Sequence, residues 1–539
     1  MTETRYSPYL AFSFLLLLLV VGGLLIQTFG HVLNVNLSRT CLFIALPFCL
    51  LITYGICFPL DKRHVAVALI LTLLLAVLGI ASRNWYDFTA DGMGYQQPTA
   101  EAILNGWNPF GPDPNMLWQQ IYPSGAGAAE ASVAALYGSI EAAKMLQIWW
   151  IVIALPVLLA GLASYLGPLS REQELLAALC VFSSIVFAQL LTHYVDALVY
   201  LSGVTFLGAL LMYGNWQRGN LMPCLAMAAS ILFLANAKLS GVYHAVALCA
   251  TAVLFLWVGT KRAPWKLAII LFAGGLVAVF FIGYRPYVTN FETYGIAMFP
   301  DNPDAFIGNQ RPSSFDPLPP PGRFFYSLFS ISGGAPHKPA QLKLPWTIHT
   351  MEWKFAGDPD ARTGGFGPLF AFGFLASFAL FAYAMIRKQP ADNGLVLLSM
   401  LCLLSSALFP QSWWARYVPF AYCTPFLLLL SISSADKGIR SGIYSLVILF
   451  GANSAIAATS AYNLFHNNQA YFMTIAADLR KQPAGSVYLV PPVANYRKYN
   501  DAYMPLMRRL KEQGVDSTLK VGDLCPHMKE MYSEYKLCY

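Results

Sequence analysis

Thirteen apolar runs dominate the sequence, near residues 9–29, 41–60, 64–82, 144–166, 174–191, 196–214, 221–237, 240–258, 266–284, 366–386, 394–410, 416–432 and 440–460. As a helix, a run of roughly 20 residues crosses a hydrocarbon core of about 30 Å. With 57% hydrophobic and only 11% charged residues in 539, the chain has too little charge to cover a soluble globule of this size. The expected fold is an all-α polytopic membrane protein of about 13 transmembrane helices. The first run, YLAFSFLLLLLVVGGLLIQTFG, is long, lacks a small-residue cleavage pattern and is followed by further spans, so it reads as a retained helix rather than a signal peptide.

Short cytoplasmic loops retain Lys and Arg. An inside amino terminus puts Lys62, Arg63, Arg171, Arg218, Lys261, Arg262, Arg387, Lys388, Lys437 and Arg440 in the inner loops. The segment 83–143, the loop 285–365 and the tail 461–539 then face outward, into the periplasm if the membrane is a bacterial inner membrane. The net charge of +7 follows from this topology and implies no nucleic-acid partner. Residues 1–460 form the transmembrane domain. The tail, with GSVYLVPP as a strand, YMPLMRRLKEQG as a helix closed by Gly514 and STLKVGD as a second strand, reads as a small α/β extracytoplasmic domain. In the first outer segment PTAEAILNGW reads as a short interfacial helix, and a second helix runs from about Ala126 into the next span. The proline- and glycine-rich second outer segment reads as a long loop.

Eight cysteines (Cys41, Cys49, Cys57, Cys180, Cys224, Cys249, Cys402, Cys423) sit in or at the ends of spans, where a thiol packs as a small hydrophobe, and they show no metal-ligand spacing. Cys525 and Cys538, both in the outer tail, are candidates for a disulfide.

Charge is rare enough that each polar residue at a membrane boundary invites a role. Asp91, beyond the third span, is a candidate general base or cation-binding carboxylate; the bland alternative is a solvated helix-end residue. Asp87, four residues earlier, would share a helical face with it. LLTHYVDALVY places His193, Tyr194 and Asp196 in a tight outer turn, either as a site or as interfacial anchors. Lys238, Arg285 and Arg416 lie on the outer side, against the topology rule. Such cations suit a phosphate or pyrophosphate lipid headgroup, and snorkelling to anionic lipid is the competing explanation. DPD at 358–360 spells the DxD of nucleotide-sugar transferases but lies on the side that lacks nucleotide sugars. NLS at 36–38 is a sequon in spelling only, and no P-loop, GxSxG or HExxH is present.

An acidic residue opening an outer loop after an odd number of spans, followed by two short helices and further outer turns bearing Asp and basic residues, resembles the GT-C superfamily of integral-membrane glycosyltransferases. The likeness is to the bacterial branch around the lipid A aminoarabinose transferase and the protein O-mannosyltransferases. DGMGYQQP, Asp91 to Pro98, is similar to the D-x-x-x-Y-H-x-P pattern of uncharacterised relatives of that superfamily, with Gln96 in place of the His. The resemblance covers roughly residues 1–460 and implies Asp91 as catalytic base, Asp87 as second candidate, and Tyr95 in the site. HYVDA resembles the acidic turn of the second outer loop. RPYVTNFETYGIAMFP, with Arg285 and Asn290, and WWARYVP, with Arg416, look like later motifs that frame the donor phosphate.

The function so implied is an inverting glycosyltransferase moving a hexose or pentose from a polyprenyl-phosphate donor to a glycan, lipid or protein acceptor in the cell envelope, with polysaccharide modification among the roles. Loop 285–365 would close over the site. Superfamily members differ in needing Mg or Mn; one outer carboxylate with cationic helpers fits a metal-independent version, so no metal ligands are assigned. Two alternatives stand beside this reading: a transporter or flippase for a lipid-linked glycan, which predicts internal repeats and mid-membrane charges, and an O-antigen ligase or polymerase, which His337 and His349 in the second outer loop keep open. The sugar, the acceptor, the oligomeric state and the role of the tail are not legible.

Overall fold

The computed structural model describes residues 7–57, 60–111, 116–214, 221–300, 310–334, 337–433, 436–483, 487–490, 503–519, 528–530 and 536–538. Every one of the thirteen apolar runs is helical: α1 Ser7–Val32, α2 Cys41–Cys57, α3 Lys62–Ser82, α4 Met145–Leu166, α5 Arg171–Val181, α6 Asp196–Gly214, α7 Leu221–Ala237, α8 Leu239–Thr260, α9 Trp265–Leu276, α10 Phe370–Ile386, α11 Asn393–Ala407, α12 Cys423–Ser431 and α13 Lys437–Leu479. α5 continues after a break as Ser184–Gln189, and α9 continues into a π-helical turn, Val277–Ile282. Eight of the helical segments are long and apolar enough to cross a membrane, and five shorter apolar helices complete the set.

α6 lies at the centre and is almost wholly buried. It meets α4 where both carry glycine: a Cβ on Gly161 would stand 2.2 Å from the Gly208 carbonyl oxygen, and one on Gly208 2.8 Å from the Leu158 backbone. Small residues at this crossing let the backbones touch, the usual way helices gain packing contacts inside lipid. α3 and α9 are the reverse case. Leu69, Ile70 and Leu73 on α3, and Ile269 and Phe272 on α9, are each about two-thirds exposed, the apolar surface that only a bilayer would cover.

The polar contacts between spans gather at two ends. Tyr165 donates to Asp392 (3.2 Å), Gln173 to Ser433 (2.7 Å) and Arg440 to Glu172 (2.6 Å) at one end, among the loops rich in Lys and Arg. The first turn of α4 lies at the other end, about 30 Å away along a helix rising 1.5 Å per residue. The segments 83–143 and 285–365 carry more structure than their composition indicates. The first holds a π-helical turn Gly92–Gln96, then helices Gln97–Leu104, Leu117–Ile121 and Gly125–Tyr137. The last of these does not run into α4 as expected; it stops at Gly138, whose φ of 70° ends the helix in left-handed geometry, and a 3-10 turn, Ile140–Lys144, leads into the span. The second holds the short helices Thr289–Tyr294, Pro320–Leu328 and Thr350–Phe355.

α13 continues nineteen residues beyond the apolar run that ends near 460, through the polar stretch NLFHNNQAYFMTIAADL, to Leu479. Its 43 residues span about 65 Å, twice a hydrocarbon core. The tail then forms β1 Val487–Val490, α14 Tyr503–Glu512, β2 Ser517–Leu519, β3 Met528–Glu530 and β4 Lys536–Cys538, in sheet order β2-β1-β4-β3 with β1 parallel to β2 and antiparallel to β4. Of the proposed Cys525–Cys538 disulfide, Cys525 lies outside the described residues.

Candidate functional site

Five segments, far apart in sequence, bring one alternating chain of charges together. The first begins where α3 ends. The chain runs extended from Trp85 to Thr89 and then enters the π-helical turn Gly92–Gln96, with Asp91 at its lip and Pro98 in the first turn of the helix that follows. π-turns inside helices recur at functional sites. Gly92 is required here, because a Cβ would stand 2.0 Å from the Asp87 Oδ2.

Asp91 is about a quarter exposed, and its Oδ2 accepts a 2.6 Å hydrogen bond from Arg416 Nη1. Arg416 comes from the 3-10 turn Ala415–Tyr417 before α12. The same guanidinium lies 3.0 Å from Asp360 Oδ1 and 3.6 Å from Asp196 Oδ2. It stacks on Trp414, 4.2 Å from the ring centre, with Tyr194 at 5.1 Å. Asp196, the first residue of α6, accepts at Oδ1 from Lys238 Nζ (2.6 Å) and at Oδ2 from Gln189 Nε2 (3.1 Å). Lys238 is the extended residue that breaks α7 from α8, and its ammonium sits 3.8 Å over the Tyr417 ring. Asp360 also pairs with Arg362 at 2.9 Å. Burial pushes the Asp360 carboxyl up to about 6 and raises Asp358 as well.

Tyr95, Trp118 and Tyr122 form an aromatic cluster on the open side of this chain, with ring centres 5.1–5.6 Å apart and each ring partly exposed. Burial raises both tyrosines, with the charge of Asp91 contributing to each. Between α7, α8 and the α9 segment runs an apolar groove of about 680 Å³, lined among others by Ile231, Ala235, Val242, Cys249, Trp257 and Phe280. Ala235 and Val242 stand about one helical turn either side of Lys238, so the groove lining comes within a turn of this cation's backbone.

Of the residues singled out in the sequence, Asp91, Tyr194, Asp196, Lys238 and Arg416 converge, with Tyr95 beside them. Asp87 does not join Asp91. It is fully buried, its Oδ1 accepts from the Thr89 backbone N–H (2.8 Å) and hydroxyl (2.6 Å), and its Oδ2 accepts from the His193 N–H (2.7 Å). With three hydrogen bonds spent on its own turn and on the His193 backbone, it shapes the turn. The His193 ring is turned away into a buried network, its Nδ1 3.1 Å from Glu130 and its Nε2 3.9 Å from Glu141. Burial lowers this imidazole, but the carboxylates of Glu130, Glu141 and Asp87 together bring it up to about 9, which favours its charged form. Arg285 donates to the carbonyls of Pro109 (2.9 Å) and Gly111 (3.3 Å), and Asn290 to that of Ile121 (3.2 Å). Both therefore brace the segment 83–143. His349 caps the helix Thr350–Phe355 by accepting from the Met351 N–H. His337 is exposed, at a φ of 62°.

Asp360, Arg362, Trp118 and Tyr122 were not assigned to the site from sequence. DPD is visible as a motif, but nothing in its spacing reports a contact with Arg416, 56 positions on. Among the described residues no group of three His, Cys, Asp or Glu is placed to hold a metal ion. Asp91, Asp196 and Asp360 are each engaged by Arg416, Lys238 or Arg362, a donor set that does not fit a divalent cation.

No family model matches the chain, and no curated protein matches it in sequence. Among solved structures, ArnT from Cupriavidus metallidurans bound to undecaprenyl phosphate is similar, with a TM-score of 0.49 and 11% identity over 87% of this chain and 97% of that one.

Proposed function

We propose that the chain is an inverting glycosyltransferase of the extracytoplasmic face of a bacterial inner membrane, taking a sugar from a polyprenyl-phosphate donor to an envelope acceptor. The observation that carries the reading is the junction of an apolar groove with a chain of alternating charges that ends on a partly exposed carboxylate. The groove suits a polyisoprenoid tail, Lys238 and Arg416 suit the phosphate, and Asp91 suits the acceptor hydroxyl. The end of the bundle that carries the charge chain is opposite the loops rich in Lys and Arg, which favours an outward site. Residues 461–539 are then a small extracytoplasmic domain.

Asp91 Oδ1 takes no hydrogen bond from the described residues, so it is free to accept the proton of an acceptor hydroxyl as that oxygen attacks the anomeric carbon. The bond from the anomeric carbon to the phosphate oxygen breaks with its electron pair on the phosphate. Lys238 and Arg416 stabilise that leaving group, and a single displacement inverts the centre. Donor binding would draw Arg416 from Asp91 to the phosphate, leaving the carboxylate unpaired as the acceptor arrives. Transfer from radiolabelled undecaprenyl-phosphate sugars by the purified protein tests the reading. Movement of a labelled lipid across vesicles without transfer would replace it with a transporter.

Two further outcomes follow. Val246 faces into the groove and is 64% exposed, so Val246→Trp should fill it without disturbing a packed core. KM for the full-length donor should rise about tenfold, equivalent to losing roughly 1.4 kcal/mol of tail burial, with kcat unchanged. An unchanged KM places the tail elsewhere. With its carboxyl near 6, Asp360 is ionised at about pH 7.5 and largely protonated at about pH 5. Protonation removes one of the anions on Arg416 and leaves the guanidinium freer for the phosphate. The donor KM should therefore fall as the pH drops through this window, and Asp360→Asn should show the low KM at both ends. A wild-type KM that stays flat contradicts the coupling.

A further inference from the structure

Arg509, in the tail helix α14, is fully buried yet lies against the turn that carries Asp91. Its Nε donates to Glu141 Oε1 (2.8 Å), its Nη2 to Gln97 Oε1 (2.8 Å) and its Nη1 to the Met93 sulfur (3.0 Å). The guanidinium also stands 5.3 Å from the Tyr86 ring centre and 5.1 Å from that of Phe88. Each of these partners except Glu141 belongs to residues 86–97, the segment that leads into and out of Asp91. Glu141 closes the loop from the other side: it also pairs with Lys144 (3.0 Å), accepts from Gln97 Nε2 (2.9 Å) and takes the Asp87 N–H (3.4 Å). Arg508 adds ion pairs to Glu101 and Glu141. Leu506 and Leu510 of α14 pack with Tyr86, Phe88, Met93 and Phe472 in a single apolar cluster.

Burying a guanidinium is costly unless its donors are all met and the geometry is specific. Here four contacts of one planar fork are spent on one residue of the π-turn, one of the helix behind it, and the one glutamate that also holds the Asp87 backbone. We infer that Arg509 is a positioning residue: the tail is a clasp that holds the Asp91 turn from behind, and the transferase site is incomplete without it. This rests on the function proposed above for Asp91. Arg509 touches neither the charge chain nor the groove, so losing it should misplace Asp91 while leaving the donor-binding cations alone.

The test is Arg509→Met in the full-length protein, read by steady-state transfer and by amide hydrogen exchange. The expected result is a kcat lowered roughly 10–100-fold, the size of effect that an ångström-scale misplacement produces, with the donor KM within about twofold of wild type. Exchange should quicken in residues 86–97 and stay unchanged in α6. If Arg509→Met does not accumulate as folded protein, Gln97→Ala removes one arm of the clasp without stranding a charge, and the same split between kcat and KM is expected at smaller size. A kcat within about twofold of wild type overturns the inference, as does a loss that tracks the folded fraction with exchange raised throughout. If the wild type itself transfers no sugar, the functional reading fails and the exchange measurement alone decides whether the clasp exists.

Discussion

Asp91→Asn lowers transfer by roughly 10²–10⁴-fold, the range a positioned general base contributes, while donor binding persists. The asparagine side chain matches the shape and still accepts from Arg416, so the turn Gly92–Gln96 and its contacts should survive. What it cannot do is take the proton of the incoming hydroxyl. Tryptophan fluorescence on titration with undecaprenyl phosphate, beside the transfer assay, separates the two. Equal loss of binding and transfer would make Asp91 a binding carboxylate and not the base.

Arg416→Met is the second large effect, and it acts on fold and site together. The guanidinium is 7% exposed and meets Asp91, Asp196 and Asp360 at once. Removing one partner of a buried pair costs about 3–5 kcal/mol when the remaining charge is stranded. Lys238 still neutralises Asp196 and Arg362 still meets Asp360, which holds the loss at the low end. Loss of a cation at the leaving phosphate should lower kcat a further 10²–10³-fold, roughly what removal of one charge-stabilising donor costs. Arg416→Lys should restore much of the stability but less of the rate, because an ammonium cannot reach three carboxylates and lie flat on Trp414. A lysine variant as fast as wild type would show that a point charge is all the site requires.

The spans were legible because each is a run of apolar residues bounded by charge, and hydropathy needs no partner to be read. Lys238 and Arg416 stood out for a related reason: with the amino terminus inside, they fall on the side where the topology rule would not place cations, and both join the charge chain. Asp87 was misjudged although its sequence holds the signal. An Asp two residues before a Thr, in Asp87-Phe88-Thr89, is the pattern of a side chain that bonds its own backbone two positions on, and the structure shows that bond. Arg285 met the same filter as Lys238 and Arg416, but its guanidinium went to backbone carbonyls of another segment. Charge position alone does not separate a brace from a ligand. Asp360 and Arg509 were beyond reach, since each acts across a contact separated by 56 to more than 400 positions, and no local period carries that distance. The end of α13 was missed because its last turns are polar, and the helix there is held by the packing of Phe472, Ile475 and Leu479 against α14 and the 86–93 segment, not by lipid.

The most direct test of the central claim is transfer of radiolabelled sugar from undecaprenyl phosphate to envelope acceptors by purified wild-type and Asp91→Asn protein side by side. The account predicts transfer with inversion by the wild type and its loss in a variant that still binds the lipid phosphate. Transfer that survives in Asp91→Asn would contradict Asp91 as base, and a wild type that moves no sugar would contradict the glycosyltransferase itself.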